Sequence, residues 1–316
     1  MRILFLGSPE FAIPSLLRLL GEGHKIVGII TQPDRCAGRG MLPTPPPVKR
    51  WGQRLGLPVS QPQNLREGSL LAALQALEPE LGVVVAYGRL LPPDLLWLPA
   101  RGCVNVHASL LPRYRGAAPI ARAILAGEKM TGITIMQMEE GLDTGPILLQ
   151  VGHPIYESDQ AGSLHDRLAL LGAEALGRAL SEMERDNLHP VAQDHEQATY
   201  APPLKKGEGV VAWERPAADL DRLIRAFSPR PGAYTSLGGR RVKILQARCG
   251  GGECGAAPGT IIAVGAEGIR VATGSGSLIL LRVHPEGRRP QSAAEFARGQ
   301  RIVPGDRFDE GAKDGS

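Results

Sequence analysis

Cysteine is scarce in this sequence, which has four among 316 residues. No two cysteines have the two-residue spacing of a zinc knuckle or a redox-active motif. This scarcity argues against a disulfide-rich secreted scaffold. Cys249 and Cys254 flank a Gly-rich loop, and we interpret them as free thiols rather than as a metal site. We therefore expect no bound metal.

Long apolar segments are also missing. No run approaches the roughly 20 residues that are needed to cross a bilayer. The N-terminus lacks the apolar core and the small-residue cleavage site of a signal peptide. With 43% hydrophobic and 22% charged residues, the composition is that of an ordinary globular protein. We therefore predict a cytoplasmic protein that does not bind membranes. We also expect it to be a monomer.

Glycine-rich loops of the kind that bind nucleotide phosphates are absent as well. Residues 7–11, which follow the first strand-like segment, do not match the G-x-G-x-x-G fingerprint. Residues 207–212 fit a looser form of that pattern, but they lack the preceding strand and the following helix that phosphate binding requires. No Walker-type loop is present either. The sequence therefore lacks the motifs that would support a nicotinamide dehydrogenase or an NTPase.

The sequence does contain alternating strand-like and helix-like segments over its first 190 or so residues. Segments 2–6 and 25–31 are strand-like and enclose a helical pattern at 11–20, an order that favours a parallel sheet. Further strands are expected at 82–86, 103–106 and 133–138, and further helices at 69–77, 117–126 and 162–185. We therefore predict a Rossmann-like α/β domain with a parallel sheet over residues 1–189.

A polar, proline-containing segment at 190–206 is predicted to be a linker to a second, smaller domain. Beyond it a helix is expected at 219–227, and short strands at 234–237, 242–247, 259–264, 269–272 and 278–283. Five short strands in such a short stretch predict a small OB-like β-barrel at 207–308. Residues 309–316 are predicted to form a tail.

Charge is divided unevenly along the chain. Residues 1–200 carry 18 basic and 20 acidic side chains, a net charge of −2, whereas residues 201–316 carry 18 and 12, a net charge of +6. A small basic barrel is a reasonable nucleic-acid surface. The alternative is an Arg-rich composition without a polyanionic partner, since Arg outnumbers Lys by 29 to 7.

The most informative segment for chemistry is 103–112. Asn is uncommon in strands, yet Asn105 lies in an apolar strand-like run. His107 follows two residues later, so both side chains point the same way at the end of the strand, where open parallel sheets bind ligands. An isolated N-x-H is also compatible with a turn-capping Asn and a structural His, so this pair alone does not decide the function.

A second signal is the glycine-flanked loop around Asp143, which follows the strand expected at 133–138. If the two strands are neighbours, Asp143 can reach His107. An amide and an imidazolium can stabilise an oxyanion, and a carboxylate can orient the imidazole or relay a proton, so the trio suits acyl transfer. A turn-forming Asp is the alternative. No G-x-S-x-G motif surrounds Ser109, which favours direct attack by a substrate amine over a covalent intermediate.

Residues 105–120 and 132–145 resemble the folate-dependent formyltransferases. Three further segments are similar to the corresponding parts of those family members that act on aminoacylated tRNA: 31–40, 224–227 and 258–261. The resemblance covers nearly the whole chain except the linker and the tail. It implies transfer of a formyl group from 10-formyltetrahydrofolate to the free amino group of methionyl-initiator tRNA, for translation initiation.

The resemblance also implies roles by position. Asn105, His107 and Asp143 match the family's catalytic trio. Ser109, Leu110, Leu111 and Pro112 match the segment that lines the formyl-folate pocket, and Arg39 matches a loop arginine that grips the tRNA acceptor end. Lys205, Lys206, Arg240, Arg241 and Lys243 are tRNA-binding candidates chosen from charge clustering alone. After Gly40 this chain carries prolines where the family often has lysines, which predicts a stiffer and less basic loop.

Three alternatives stay open from the sequence. Another formyltransferase, acting on a glycinamide or an amino-sugar nucleotide, would use the same trio, and a folate-dependent hydrolase would replace the amine with water. A non-catalytic RNA-binding protein with a relic α/β domain is the alternative from a different class. The second domain and the loop at 31–40 favour the tRNA substrate.

Overall fold

The computed structural model of this chain describes residues 1–37, 40–252 and 255–309. Arg39, Cys254 and the predicted tail beyond Asp309 therefore lie outside the described residues. One compact unit comprises Met1–Pro119, Met130–Pro154 and His165–Pro202, and a second comprises Ile120–Lys129, Ile155–Leu164 and the chain from Pro203 onward. The domain bounds that the sequence suggests stay predictions. None of the described helices is long and apolar enough to cross a membrane.

The described elements alternate between strands and helices along the first unit and are mostly strands in the second. The strands, in chain order, are β1 (Arg2–Gly7), β2 (Lys25–Ile30), β3 (Arg35–Ala37), β4 (Leu42–Thr44), β5 (Val59–Ser60), β6 (Leu81–Val85), β7 (Cys103–His107), β8 (Met130–Gln137), β9 (Ile147–Pro154), β10 (Ala233–Leu237), β11 (Arg240–Gly250), β12 (Ile261–Gly265), β13 (Gly268–Ala272), β14 (Ser277–Pro285) and β15 (Gln291–Ser292). The α-helices are α1 (Ile13–Gly21), α2 (Pro47–Arg54), α3 (Gly68–Gln75), α4 (Pro93–Leu96), α5 (Pro119–Ala126), α6 (Ala161–Glu184), α7 (Ala217–Phe227) and α8 (Ala293–Gln300).

The first unit is built on a sheet with the strand order β5-β2-β1-β6-β7-β8-β9. The strands β5, β2, β1, β6 and β7 run parallel, whereas β8 and β9 are antiparallel to their neighbours. The central strands β1 and β6 are buried along almost their whole length, which explains their continuous apolar runs. The predicted Rossmann-like α/β domain with a parallel sheet is thus confirmed, except that β8 and β9 form an antiparallel edge that the sequence did not indicate.

The strands expected at 2–6, 25–31, 82–86, 103–106 and 133–138 correspond to β1, β2, β6, β7 and β8. The edge strand β9 was missed, and so was the short β3–β4 hairpin. In β9 only Leu148 is buried, and polar or small residues such as Gln150 and Gly152 alternate with apolar ones. A strand with one partly solvated face carries a weaker apolar signal than a central parallel strand, which is why it escaped prediction.

The second unit contains an antiparallel sheet with the order β10-β11-β14-β13-β12, and β15 pairs with β14. All five predicted strands of the barrel are present here as β10 to β14. Register shifts between Ile244 and Ala247 interrupt the pairing of β11 with β14. Such irregularities bend a strand and increase its twist, which lets a small sheet curl.

The chain near its C-terminal end closes this sheet. Asp309 pairs with Ser236 in β10, and Arg307 pairs with Thr260 at the start of β12. Because β10 and β12 are the two ends of the strand order, residues 307–309 complete a barrel. The Phe308 ring between them is buried and stacks on Trp213 with ring centroids 5.7 Å apart. The second unit therefore depends on an aromatic contact made by its last described residues.

Replacing Phe308 with Ala should destabilise the second unit by about 3–5 kcal/mol, because the substitution leaves a cavity beside Trp213. Urea unfolding followed by tryptophan fluorescence measures this loss. The exposed Val303 provides a control, since Val303→Ala should change the free energy of unfolding by less than about 0.5 kcal/mol. Equal stability of the two variants would contradict the closing role of Phe308.

Candidate active site

Asn105 and His107 occupy the carboxyl-terminal end of β7, between the parallel strand β6 and the antiparallel strand β8. His107 is buried, and Asn105 is half-buried. At the start of the same strand Cys103 is buried among apolar residues, and this burial raises the pKa of its thiol to about 12. The strand thus emerges from a dry core and presents two polar side chains on the same side at its tip.

Asp143 lies beside both of these residues. Its Oδ2 is 3.6 Å from Nδ1 of His107, and its Oδ1 is 3.5 Å from Nδ2 of Asn105. The backbone N–H of Gly116 donates to the same Oδ2 at 2.8 Å. The structure therefore brings together the three side chains that the sequence singled out, and the Asp143 carboxylate is their common neighbour.

The imidazole of His107 is enclosed by acceptors. Its Nε2 lies 3.0 Å from the carbonyl oxygen of Tyr114, and its Nδ1 faces the Asp143 carboxylate. A carbonyl oxygen can only accept, so Nε2 must carry the hydrogen of that bond. A hydrogen on Nδ1 as well gives the imidazolium, whose positive charge the Asp143 carboxylate oxygen 3.6 Å away can balance. The surroundings of His107 thus suit a cationic imidazole whose Nε2–H is directed to the Tyr114 carbonyl.

The loop that carries Asp143 is tightly folded. The Gln137 N–H at the end of β8 donates to the Pro146 carbonyl at 2.9 Å, so the loop leaves and rejoins the sheet at nearly the same point. Asp143 itself has φ of +52°, in the left-handed region that few L-residues adopt. A Cβ on Gly145 would overlap the carbonyl oxygen of Gln137. Glycine is needed at 145 because the backbone passes so close to the strand.

Two buried residues that the sequence did not single out support this loop. Gln193, from the predicted linker, donates through Nε2 to the carbonyl oxygens of Asp143 and Gly145 at 2.9 and 2.7 Å. Its Oε1 accepts from Nε and Nη2 of Arg115 at 3.1 and 2.7 Å. No local pattern around Gln193 could have indicated these contacts, because they arise only when the chain returns to the site 50 residues after Asp143.

The four residues predicted to line the folate pocket form a turn after β7. Ser109 and Leu111 are buried, and the Ser109 hydroxyl donates to the Arg113 carbonyl at 2.6 Å. Thr134 in β8 donates to the Ser109 carbonyl at 2.7 Å and accepts from the Leu111 N–H at 3.1 Å. Leu110 and Pro112 are half-buried. This turn is thus anchored to β8, and its folate-binding role stays a prediction.

A cavity of about 300 Å³ lies beside the Asp143 loop, which contributes Glu140 to its wall. The remaining lining residues are Asn64, Leu65, Arg66, Arg89, Leu90, Leu91, Pro92 and Pro93. A lining of apolar side chains with a few charged groups is typical of small-molecule sites. The four residues of the predicted folate segment do not line this cavity.

The tRNA-binding candidates differ in their surroundings. Lys205, Lys206 and Arg240 are exposed. Arg241 is half-buried and lies over the Tyr234 ring, 3.7 Å from its centroid, and the Lys243 ammonium donates to the Pro231 carbonyl at 3.0 Å. The first three side chains are thus presented to solvent, whereas the last two also make contacts within the second unit.

Among the residues that the structure describes, no group of three or more His, Cys, Asp or Glu side chains could hold a metal ion. Cys36, Cys103 and Cys249 are free thiols.

Both parts of the chain match formyl transferase families. Residues 1–180 match the formyl transferase family, and residues 203–301 match the formyl transferase C-terminal domain. An N-formyltransferase from Helicobacter canadensis, solved with folinic acid and dTDP-3-aminofucose, shares the fold with a TM-score of 0.67 and 17% identity, covering 89% of this chain and 98% of that chain.

Two curated relatives are much closer in sequence. Methionyl-tRNA formyltransferase from Anaeromyxobacter dehalogenans is 50% identical over 304 residues, which cover 95% of this chain and 97% of the relative. The enzyme of the same name from Halorhodospira halophila is 49% identical over 305 residues, which cover 96% and 98%. The chain belongs to the methionyl-tRNA formyltransferase family.

Changing Gly145 to Ala should lower turnover on the order of 100-fold, because the added Cβ pushes the Asp143 loop away from β8 and misplaces the carboxylate. Steady-state formylation kinetics measure this effect. Gly68→Ala is the matched control, since a Cβ on Gly68 meets no atom within 4 Å. Wild-type turnover in the Gly145 variant would show that the loop position does not matter for the reaction.

Proposed function

We propose that this protein transfers the formyl group of 10-formyltetrahydrofolate to the free amino group of methionyl-initiator tRNA, which prepares this tRNA for translation initiation. The observation that carries the proposal is the meeting of Asn105, His107 and Asp143 at the end of β7, in a chain about half identical to methionyl-tRNA formyltransferases. An amide, an imidazole and a carboxylate supply what acyl transfer to an amine requires.

The reaction that we assign to this site is a direct transfer. The neutral α-amino group of the methionine attacks the formyl carbon, and a new C–N bond forms as the carbonyl oxygen becomes an oxyanion. One N–H of Asn105 donates to that oxyanion, and the positive charge of protonated His107 stabilises it electrostatically, since the Nε2–H of His107 is directed to the Tyr114 carbonyl. Asp143 orients His107 and passes the proton of the attacking amine to the departing folate nitrogen, as the bond between that nitrogen and the formyl carbon breaks.

The cavity beside Glu140 is the place that we assign to the ring system of the folate. Its apolar side chains suit a flat heterocycle, and its charged groups suit polar ring edges. Glu140 precedes Asp143 by three residues in the same loop, so a ring bound here keeps the formyl carbon near the trio. The solved structural neighbour from Helicobacter canadensis also holds a folate, folinic acid.

The tRNA requires a cationic surface, and the +6 net charge of residues 201–316 supports binding there. We assign tRNA-binding roles to Lys205, Lys206 and Arg240, which are exposed. We assign the same role to Arg241 and Lys243, which follow Arg240 closely in the sequence. The role of Arg39 also stays a prediction. A cytoplasmic location and a monomeric state complete the proposal.

The alternative substrates are less well supported. Formylation of an amino-sugar nucleotide is suggested by structural neighbours at 14–20% identity, which share the fold alone. Eight curated relatives at 46–50% identity carry the name methionyl-tRNA formyltransferase. A non-catalytic RNA-binding role does not explain why Asn105 and His107 meet at the Asp143 carboxylate.

Replacing His107 with Ala should lower the rate of formyl transfer by about 100–1000-fold, because the positive charge that stabilises the oxyanion is lost. The assay combines the full-length protein, 10-formyltetrahydrofolate and methionyl-initiator tRNA, and it follows the formylated product. His189→Ala removes an exposed histidine from the same unit and should keep the wild-type rate.

The same assay tests the substrate. Glycinamide ribonucleotide and an amino-sugar nucleotide are offered in parallel with the tRNA. Formylation of a nucleotide alone would replace the proposed acceptor, and formylation by the His107 variant at the wild-type rate would remove His107 from the mechanism.

Replacing Lys205, Lys206 and Arg240 with Ser should weaken tRNA binding and reduce the slope of log affinity against log salt by about one for each lost phosphate contact. Binding is measured by filter retention across a range of salt concentrations. Arg248→Ser is a control that removes one exposed positive charge from the same unit, and Arg248 is already paired with Glu267 at 2.7 Å. A triple variant with the salt slope of the wild type would rule out these three residues.

A further inference from the structure

We propose that Gln193 is a positioning residue for Asp143. It holds the backbone of the carboxylate-bearing loop in the conformation that the reaction needs, although it lies 50 residues away in a segment that the sequence suggests is a linker. This inference rests on the proposed role of Asp143 in formyl transfer.

The contacts of the Gln193 amide fix its orientation. Both hydrogens of Nε2 are directed to carbonyl oxygens, those of Asp143 and Gly145, and Oε1 accepts two hydrogens from Arg115. These four bonds use the full donor and acceptor capacity of a glutamine amide. The reversed orientation would turn the NH₂ group toward a guanidinium and the oxygen toward two carbonyls. The amide therefore acts as a directional connector between Arg115 and the loop.

Arg115 links this connector to the carboxylate itself. Its side chain is buried, and its Nη2 also lies 3.1 Å from Nδ1 of His195. The next residue in the chain, Gly116, donates its N–H to Asp143 Oδ2 at 2.8 Å. The Arg115–Gly116 segment thus contacts the Asp143 side chain directly, and it contacts the Asp143 backbone through Gln193. The carboxylate and the backbone that carries it are held from the same segment.

Asp143 needs this support because its backbone has φ of +52°. L-residues keep such a conformation only where the surrounding structure enforces it. The two bonds from Gln193 fall on either side of Thr144 and restrain the peptide units that a relaxing Asp143 would have to rotate. A displacement of 1 Å in a catalytic group can lower turnover on the order of 100-fold.

The first experiment compares Gln193→Glu, Gln193→Met and Gln197→Glu in the full-length protein. Glutamate keeps the acceptor for Arg115 but places oxygen against the two carbonyls, whereas methionine removes both functions. The control residue Gln197 lies in the same segment, where its amide donates only locally, to Asp194 at 2.7 Å.

We expect Gln193→Glu and Gln193→Met to lower kcat by about 10–100-fold, with the KM of both substrates within about threefold of the wild type. Gln197→Glu should match the wild type. A Gln193 that only supports the fold through Arg115 would leave kcat unchanged in the glutamate variant, and that outcome overturns the proposal.

The second experiment observes the carboxylate without the reaction. The N–H of Gly116 bonds to Asp143 Oδ2, so its amide resonance reports on the position of that oxygen. Gln193→Glu should shift this resonance and speed its hydrogen exchange, and Gln197→Glu should not. An unmoved Gly116 resonance overturns the positioning role.

Asp143→Asn, measured in the same kinetic assay, distinguishes a failure of the proposed role of Asp143 from a failure of the positioning role of Gln193. Full turnover in this variant would refute the proposed role of Asp143, while the Gly116 resonance would still decide whether Gln193 positions the residue. Loss of turnover in Asp143→Asn, together with wild-type kcat in Gln193→Glu, would keep the proposed function and reject the inference.

Discussion

The carboxylate of Asp143 is the group on which the geometry of the site depends. One of its oxygens accepts the Gly116 N–H and faces His107, and the other faces the amide of Asn105. A strand end, the turn that follows it and a separate glycine-flanked loop are thereby fixed relative to one another. Hydrogen bonds to an ionised acceptor are stronger than those between neutral groups, so a single charge can hold three backbone segments together.

The backbone on both sides of the His107 imidazole is unusual. Asp143, which faces Nδ1, has φ of +52°, and Tyr114, whose carbonyl faces Nε2, has φ of +62°. Left-handed conformations at non-glycine residues persist only where other contacts enforce them. Here they place two acceptor oxygens around one imidazole. The fold therefore uses its least favourable backbone positions to build the surroundings that suit a cationic histidine.

Much of this architecture could be predicted from the sequence, and the remainder could not for definite reasons. Apolar runs predicted β1, β2, β6, β7 and β8, because buried parallel strands carry strong local signals. Asn105 and His107 were found because polar residues at a strand tip break that pattern. Gln193 gave no signal, since its role arises only from a tertiary return of the chain. Residues 307–309 were likewise unremarkable until their pairing partners in the barrel were known.

The site alone does not explain the choice of acceptor. In the proposed mechanism the trio can act on any primary amine that reaches the formyl carbon, and a protein of the same fold was solved with an amino-sugar nucleotide. Selection must therefore come from groups outside the trio. A small nucleotide has no use for the +6 net charge of residues 201–316, whereas a tRNA presents a phosphate with every nucleotide to such a surface. The uneven charge along the chain thus says more about the substrate than the reacting residues do.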